Sequence, residues 1–228
     1  MTGRMRIGAG VLTALLAGAA FAAGPATPKV ILVTGFEPFG GDATNGSWEA
    51  VRTLDGTTIG GARVVVAQLP VVWGDAAARL RELVKANNPA AIVCFGQAGV
   101  EPVRLESTAH NVRDNYPDNK GAVPSSLTIE AAGPATLESS LPLADIGKRL
   151  NAAGIPARVS PDAGGYLCND TFYVLMHDAV GAPIRGFVHV PPLDAEVAAE
   201  SGTSVRFDGA RLRRTAEIVV EATADKIR

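Results

Sequence analysis

The sequence predicts an α/β protein with a mostly parallel sheet covered by helices on both faces. Short apolar, β-branched runs alternate with segments of helical spacing, which is the pattern of that class. About 205 residues follow a leader-like N-terminus, enough for one domain with a substantial core. No internal repeat or interdomain linker divides them.

The first half of the chain contains three strand-like runs and one helical segment. "KVILVT" at 29–34 is apolar and stops at a glycine, and "RVVVAQL" at 63–69 stops at a proline. Segment 75–87 has apolar residues at helical spacing, and a proline closes it before the buried run "AAIVCF" at 90–95. The predicted order is therefore β, β, α, β.

The second half continues the alternation. A proline begins a helix over 142–150, which a glycine ends four residues later. "ARVS" at 157–160 and "RGFVHV" at 185–190 predict strands, and a last helix spans about 210–224. The Gly- and Pro-rich stretch 121–134 predicts a long surface loop.

Residues 1–23 have the pattern of an export signal. Two arginines precede an uncharged apolar stretch over 7–21, with small residues at Ala20 and Ala22 around a cleavage position. A membrane anchor is the alternative, but the apolar run is shorter than the ~20 residues that a span needs. We expect a single domain over 24–228, exported to the periplasm or secreted and free of the membrane after cleavage.

Composition excludes several classes of function. The formal net charge of −2 becomes −4 without the leader, which disfavours binding to nucleic acid or anionic membranes. Two cysteines without a C-x-x-C motif predict no disulfide framework, and three histidines without paired spacing predict no metal site. No cofactor is expected.

The glycine-rich loop "TGFEPFGG" after the first strand is unlike a nucleotide-binding loop. It lacks the Gly-Lys-Ser/Thr ending of a P-loop and the spacing of a dinucleotide fingerprint. It instead places Phe36 and Phe39 in a tight turn. Since exposed phenylalanines are costly unless they line a pocket, both are candidate binding residues.

Cys168, in "GGYLCNDTFYVLM", is the candidate nucleophile. It begins a helix whose predicted apolar face consists of Phe172, Leu175, Met176 and Ala179. Unpaired N–H groups and the helix dipole at this position would lower the pKa of a thiol from about 8.5 towards neutrality. The alternative is a small buried hydrophobic side chain, which is our interpretation of Cys94 in "AAIVCF".

A cysteine nucleophile needs a base, usually histidine. His189 ends a buried strand, and functional residues of such sheets collect beyond the carboxyl ends of strands. His177 lies two and a half turns along the Cys168 helix, too far to reach the thiol, and His110 lies in a polar segment. A structural imidazole remains the alternative at each position, and spacing alone selects no carboxylate.

Five segments, in order, resemble the pyroglutamyl-peptidase I (pyrrolidone-carboxylate peptidase) family. They are "LVTGFEPFGGDATNGSWEAV", "CFGQAG", "YPDN", "AGGYLCN" and "GFVHVP". The resemblance implies a three-layer α/β/α sandwich with a mostly parallel, mixed sheet. It also implies a cysteine peptidase that removes an N-terminal pyroglutamyl residue from peptides, with such a blocked peptide as its partner and no cofactor.

The resemblance also implies roles for individual residues. Cys168 corresponds to the nucleophile, His189 to the histidine, and Glu106, five residues before an asparagine, to the glutamate. The resemblance implies Phe36, Phe39, Asn45 and Gln97 as substrate-binding residues, and Tyr166 and Leu167, beside the cysteine, are further candidates.

The chain departs from the family pattern around the glutamate. Glu101 and Ser107 stand where the family usually has arginines, Gly46 replaces a proline, and Pro192 replaces a tyrosine. We therefore expect positive charge to be missing beside Glu106 and the rate to suffer. A catalytically inactive binder of blocked N-termini and an amidase for another small acyl group remain alternatives. A homo-oligomer is left open.

Overall fold

The computed structural model describes residues 1–3, 28–178, 181–199 and 202–228. Nearly all of the predicted leader, and Ala179, lie outside these ranges. No helix in the described ranges is long and apolar enough to span a membrane.

Seven strands of the described chain form the main sheet, four more form two antiparallel pairs, and five α-helices surround them. The elements are β1 Val30–Phe36, α1 Gly46–Val51, β2 Thr58–Ile59, β3 Ala62–Leu69, α2 Asp75–Asn87, β4 Ala91–Gln97, β5 Val103–Glu106, β6 Thr108–His110, β7 Thr136–Glu138, α3 Leu143–Ala152, β8 Ala157–Ser160, α4 Leu167–Asp178, β9 Ile184–Val190, β10 Ala195–Ala198, β11 Ser204–Phe207 and α5 Gly209–Ala224.

The main sheet has the strand order β2-β3-β1-β4-β9-β5-β8. β3, β1, β4 and β9 are parallel, β2 is antiparallel at one edge, and β5 joins β9 antiparallel at the other side. β8 then pairs in parallel with β5. This confirms the predicted mostly parallel, mixed sheet.

Two apolar clusters cover the two faces of the sheet. Alternate residues of β1 and β4, such as Ile31 and Val93, pack with α1, α3 and α5 on one face. Their neighbours, such as Leu32 and Ile92, pack with α2 and α4 on the other. Because side chains alternate along a strand, continuously apolar strands predict burial on both faces, and the three-layer α/β/α sandwich is confirmed.

Each predicted strand and helix is present, but several elements were not predicted. The elements that the sequence did not predict are short: α1, β2, β5, β6, β7, β10 and β11. The single apolar face expected for the Cys168 helix is also wrong, since residues 169–176 are all buried, including polar Asn169 and Asp170. α4 is covered by the sheet, α2 and the β6–β7 pair.

Candidate active site

Cys168 lies above a row of residues that crosses the sheet. Gly96 of β4 and Arg104 of β5 are the register partners of His189 on either side. Residues in one row project from the same face, here the face covered by α4. A Cβ atom at Gly96 would lie 2.8 Å from Cys168 Sγ. The thiol therefore sits against the sheet next to His189, where only glycine leaves room.

Cys168 is the second residue of α4, as predicted. No backbone hydrogen bond within the described ranges uses the N–H of Leu167 or Cys168, which leaves both as free donors at the helix start. The following residue, Asn169, is buried and clamps this end of the helix. Its Oδ1 accepts from His110 N at 2.9 Å, and its Nδ2 donates to the carbonyls of His110 and Val112. The asparagine of "LCN" therefore fixes the position of the cysteine before it.

His189 and Glu106 form a buried pair behind the thiol. His189 Nδ1 lies 2.7 Å from Glu106 Oε1, and both side chains are almost fully buried. The carboxylate oxygen accepts the Nδ1 proton, which leaves Nε2 as the ring nitrogen available to a reacting group. The two residues are 83 apart in sequence, and β5 brings them together by pairing with β9.

The expected lack of positive charge beside Glu106 is wrong. Arg104 Nε lies 3.0 Å from Glu106 Oε1, because residues two apart on a strand project from the same face. Glu101, in place of a family arginine, pairs with Arg104 at 3.2 Å and with Arg158 at 2.9 Å. The chain thus supplies the charge from the residue two positions before the glutamate.

The predicted site residues meet at one cavity of about 480 Å³. Its lining includes Cys168, His189 and all six predicted substrate-binding residues: Phe36, Phe39, Asn45, Gln97, Tyr166 and Leu167. Glu106 does not line it but lies behind His189. Sequence reasoning missed Val71, Arg104 and Asp114, which also line the cavity.

Aromatic rings form much of the cavity wall. Phe36 packs near Phe187 at a centroid distance of 6.5 Å, and Phe39 lies 6.3 Å from Tyr166. The Tyr166 hydroxyl donates to the carbonyl of Pro117 at 3.1 Å, so the ring is tied to the loop before the family-like "DN". A flat, uncharged group would therefore meet apolar surfaces here.

The two predicted amide side chains differ in what they can offer a ligand. Asn45 caps α1: its Oδ1 accepts from Ser47 N at 2.9 Å, and its Nδ2 donates to the Glu37 carbonyl. Gln97 Oε1 accepts from Gly46 N at 2.5 Å, a bond that proline could not make. Because Oε1 is engaged, the Gln97 amide nitrogen remains to donate into the cavity.

The thiol does not have the lowered pKa that its position in the helix predicts. Burial, followed by the negative charge of Glu106, raises the pKa of Cys168 to about 12, and Arg104 offsets this only in part. Burial also lowers the pKa of His189 below its usual 6.5, against the opposing effect of Glu106. Desolvation disfavours both charged forms, so the resting pair is a neutral thiol and a neutral imidazole.

Alkylation should reveal this neutral thiol. Because the thiolate forms only well above pH 9, we expect iodoacetamide to label Cys168 slowly at pH 7 and faster up to at least pH 10. The extent of labelling is measured by peptide mass mapping, and glutathione serves as the reference for a thiol with an ordinary pKa. A labelling rate that levels off below pH 8 would instead indicate a thiolate–imidazolium pair.

Cys94 is a buried core residue, as predicted. It is fully inaccessible within β4, and burial raises the pKa of its thiol to about 12. Both cysteines are free. In the described part of the chain, no group of three His, Cys, Asp or Glu side chains could hold a metal ion.

Comparison with known proteins places these features in a family. A family model described as pyroglutamyl peptidase matches residues 29–223. The pyrrolidone-carboxylate peptidase of Escherichia fergusonii is 42% identical over 178 residues, covering 76% of this chain and 83% of that protein. That of Chromobacterium violaceum is 40% identical over 205 residues, covering 88% and 97%.

Solved structures give the same result. Pyroglutamyl peptidase I of Bacillus amyloliquefaciens superposes with a TM-score of 0.78 at 35% identity, over 86% of this chain and 97% of that one. A mutant pyrrolidone carboxyl peptidase of Pyrococcus furiosus has a TM-score of 0.78 at 30% identity, over 86% and 99%.

Proposed function

The chain belongs to the pyroglutamyl peptidase family, and we propose that it hydrolyses the amide bond after an N-terminal pyroglutamyl residue. One observation carries the proposal: Cys168 and His189, with Glu106 behind the imidazole, line one cavity with aromatic walls. That cavity, at about 480 Å³, is large enough for a pyroglutamyl ring and part of the peptide that follows it.

Catalysis would begin with attack of Cys168 Sγ on the carbonyl carbon that joins pyroglutamate to the next residue, outside the lactam ring. Because the resting thiol is neutral, His189 accepts its proton as the C–S bond forms. The same proton then passes to the leaving amine as the C–N bond breaks, which leaves a thioester. Water, activated by His189, hydrolyses the thioester, releases pyroglutamate and restores the thiol.

Charge that develops on the carbonyl oxygen needs hydrogen-bond donors. The free N–H groups of Leu167 and Cys168 at the start of α4 are suited to this role. Donors of this kind contribute roughly 3 kcal/mol each in comparable sites. Glu106 would hold the imidazole in orientation and stabilise its charged form during the reaction.

The cavity supports selection of a neutral ring. Phe36, Phe39 and Tyr166 would pack on the lactam, and the free amide nitrogen of Gln97 would donate to its carbonyl. A free N-terminal glutamate carries an ammonium and a carboxylate, whose burial without partners costs several kcal/mol.

A matched set of fluorogenic substrates tests the function. We expect the pyroglutamyl substrate to be hydrolysed at least ~100-fold faster, in kcat/KM, than its glutamyl counterpart. The cyclopentanecarbonyl analogue, which keeps a neutral five-membered ring but lacks the lactam group, tests the polar contacts to the ring, including that of Gln97. Tight binding of pyroglutamyl peptides without hydrolysis would favour a binder, and preference for another acyl group would favour a different amidase.

Export is a separate part of the proposal. It is supported by the two arginines, the apolar stretch and the small residues within positions 1–23. We expect N-terminal sequencing of the protein from its native host to begin near residue 24, in the periplasmic or extracellular fraction. A full-length cytoplasmic product would contradict it.

A further inference from the structure

We propose that Arg104 is a positioning residue of this site, one that holds the Glu106 carboxylate against His189 and keeps the imidazole neutral and able to accept a proton. The inference rests on the proposed function for its kinetic consequences only. The arrangement of charges that carries it is a property of the folded chain.

Arg104 contacts both members of the buried pair. Its Nε forms an ion pair with Glu106 Oε1 at 3.0 Å, without hydrogen-bond geometry, and its Nη2 lies 3.3 Å from His189 Nδ1. Since Nδ1 donates its proton to Glu106, the guanidinium cannot donate to the same nitrogen. Its approach to the ring is therefore a contact between a permanent positive charge and a neutral imidazole, which opposes protonation of the ring.

Glu106 depends on Arg104 for charge compensation. The carboxylate is fully buried, and its Oε2 makes no hydrogen bond with any described residue. Among the described residues, only Arg104 and His189 offset its charge, both at Oε1. Without Arg104, the uncompensated carboxylate would favour the protonated form of His189.

The other groups around the imidazole do not replace Arg104. Glu101, before β5, is negative and pairs with Arg104 at 3.2 Å. Cys168 faces the ring from α4 as a neutral thiol. Gly96, the register partner of His189 on β4, has no charge. Tyr166 and Asp114 line the same cavity from its other elements and add no positive charge.

The chain offers a matched control in Arg158. Its Nη2 pairs with the same Glu101 at 2.9 Å, but it is about half exposed and does not contact His189 or Glu106. Arg104→Met and Arg158→Met therefore each remove one arginine from Glu101, and only the first removes charge beside the imidazole. Arg104→Lys restores charge without the planar fork.

The acid limb of the kcat/KM–pH profile is the kinetic readout. Activity on this limb falls as His189 gains a proton, so in the wild type the midpoint of the limb lies below pH 6.5, the usual pKa of histidine. In Arg104→Met, loss of the neighbouring charge and exposure of the ring to uncompensated Glu106 both favour the proton. We expect the limb to move up by about one pH unit and kcat to fall about tenfold, with KM little changed. In Arg104→Lys the limb should lie close to its wild-type position, and in Arg158→Met it should not move.

Histidine NMR gives a readout that needs no substrate. The chain has three histidines, so the ¹³C-labelled imidazole of His189 can be assigned with a His189→Gln variant. We expect its titration midpoint to rise in Arg104→Met and to be unchanged in Arg158→Met. An unshifted midpoint in folded Arg104→Met, or an equal shift in both variants, overturns the proposal. Absence of hydrolysis by the wild type would count against the proposed function alone.

Discussion

Cys168→Ser should lower kcat for a pyroglutamyl substrate by about 10⁴-fold or more. A hydroxyl at this position has the same base beside it but is a far weaker nucleophile than sulfur, and among the described residues that line the cavity there is no second cysteine, serine or threonine. The exchange is nearly isosteric above Gly96, so thermal unfolding should change little. Binding of a pyroglutamyl peptide, measured by calorimetry, should survive.

Cys94 provides the control for this substitution. Cys94→Ala removes the other sulfur, which lies in the core of β4 and does not line the cavity. We expect kcat to stay within about twofold, with some loss of stability from the small cavity left behind. Turnover at the wild-type rate in Cys168→Ser would contradict both the nucleophile and the thioester route.

His189→Ala should lower kcat by about 10³-fold or more. A neutral thiol cannot form the C–S bond unless its proton is removed, and the ring is also the proton donor to the leaving amine. Glu106→Gln should cost less, about 10- to 100-fold, because an amide oxygen can still accept from Nδ1 while the stabilising charge is lost.

Stability measurements must accompany the histidine variant. His189 is 3% exposed, and its removal leaves Arg104 as the one charged partner of Glu106 in the described part of the chain. We expect thermal unfolding to shift down while the far-UV circular dichroism remains that of an α/β protein. Activity within tenfold of wild type in folded His189→Ala would show that another group takes the thiol proton.

The sequence predicts the long strands and helices, and the candidate nucleophile and base, better than the residues that hold the base in place. Cys168 and His189 became candidates because they stand at a predicted helix start and strand end, and the family resemblance then selected them over a structural role. Glu106 came only from family resemblance. Its strand, "VRLE", has four residues, too short to show a period, although alternation of charged and apolar residues within it could have placed Arg104 beside the glutamate.

Two properties of the site depend on tertiary packing and were beyond local reasoning. The helix-start argument gave the wrong direction for the Cys168 pKa, because it ignores the burial of the thiol against β4 and the charge of Glu106. Similarly, Asn45 lines the cavity as the resemblance implied, but its hydrogen bonds serve the start of α1. Neither effect is visible until the sheet has brought distant segments together.

The antiparallel insertion of β5 makes the base vulnerable to local unfolding. Glu106 and Arg104 both belong to this four-residue strand, which lies between β9 and the edge strand β8. Cys168 and Gly96, in contrast, belong to α4 and to β4 at the centre of the sheet. Segments with few buried contacts, such as the edge strand β8 with its exposed residues 158 and 159, open at a lower free energy than the core. Detachment of β5 and β8 would leave the nucleophile in place and His189 without its partners, so catalysis would end well before the protein unfolds.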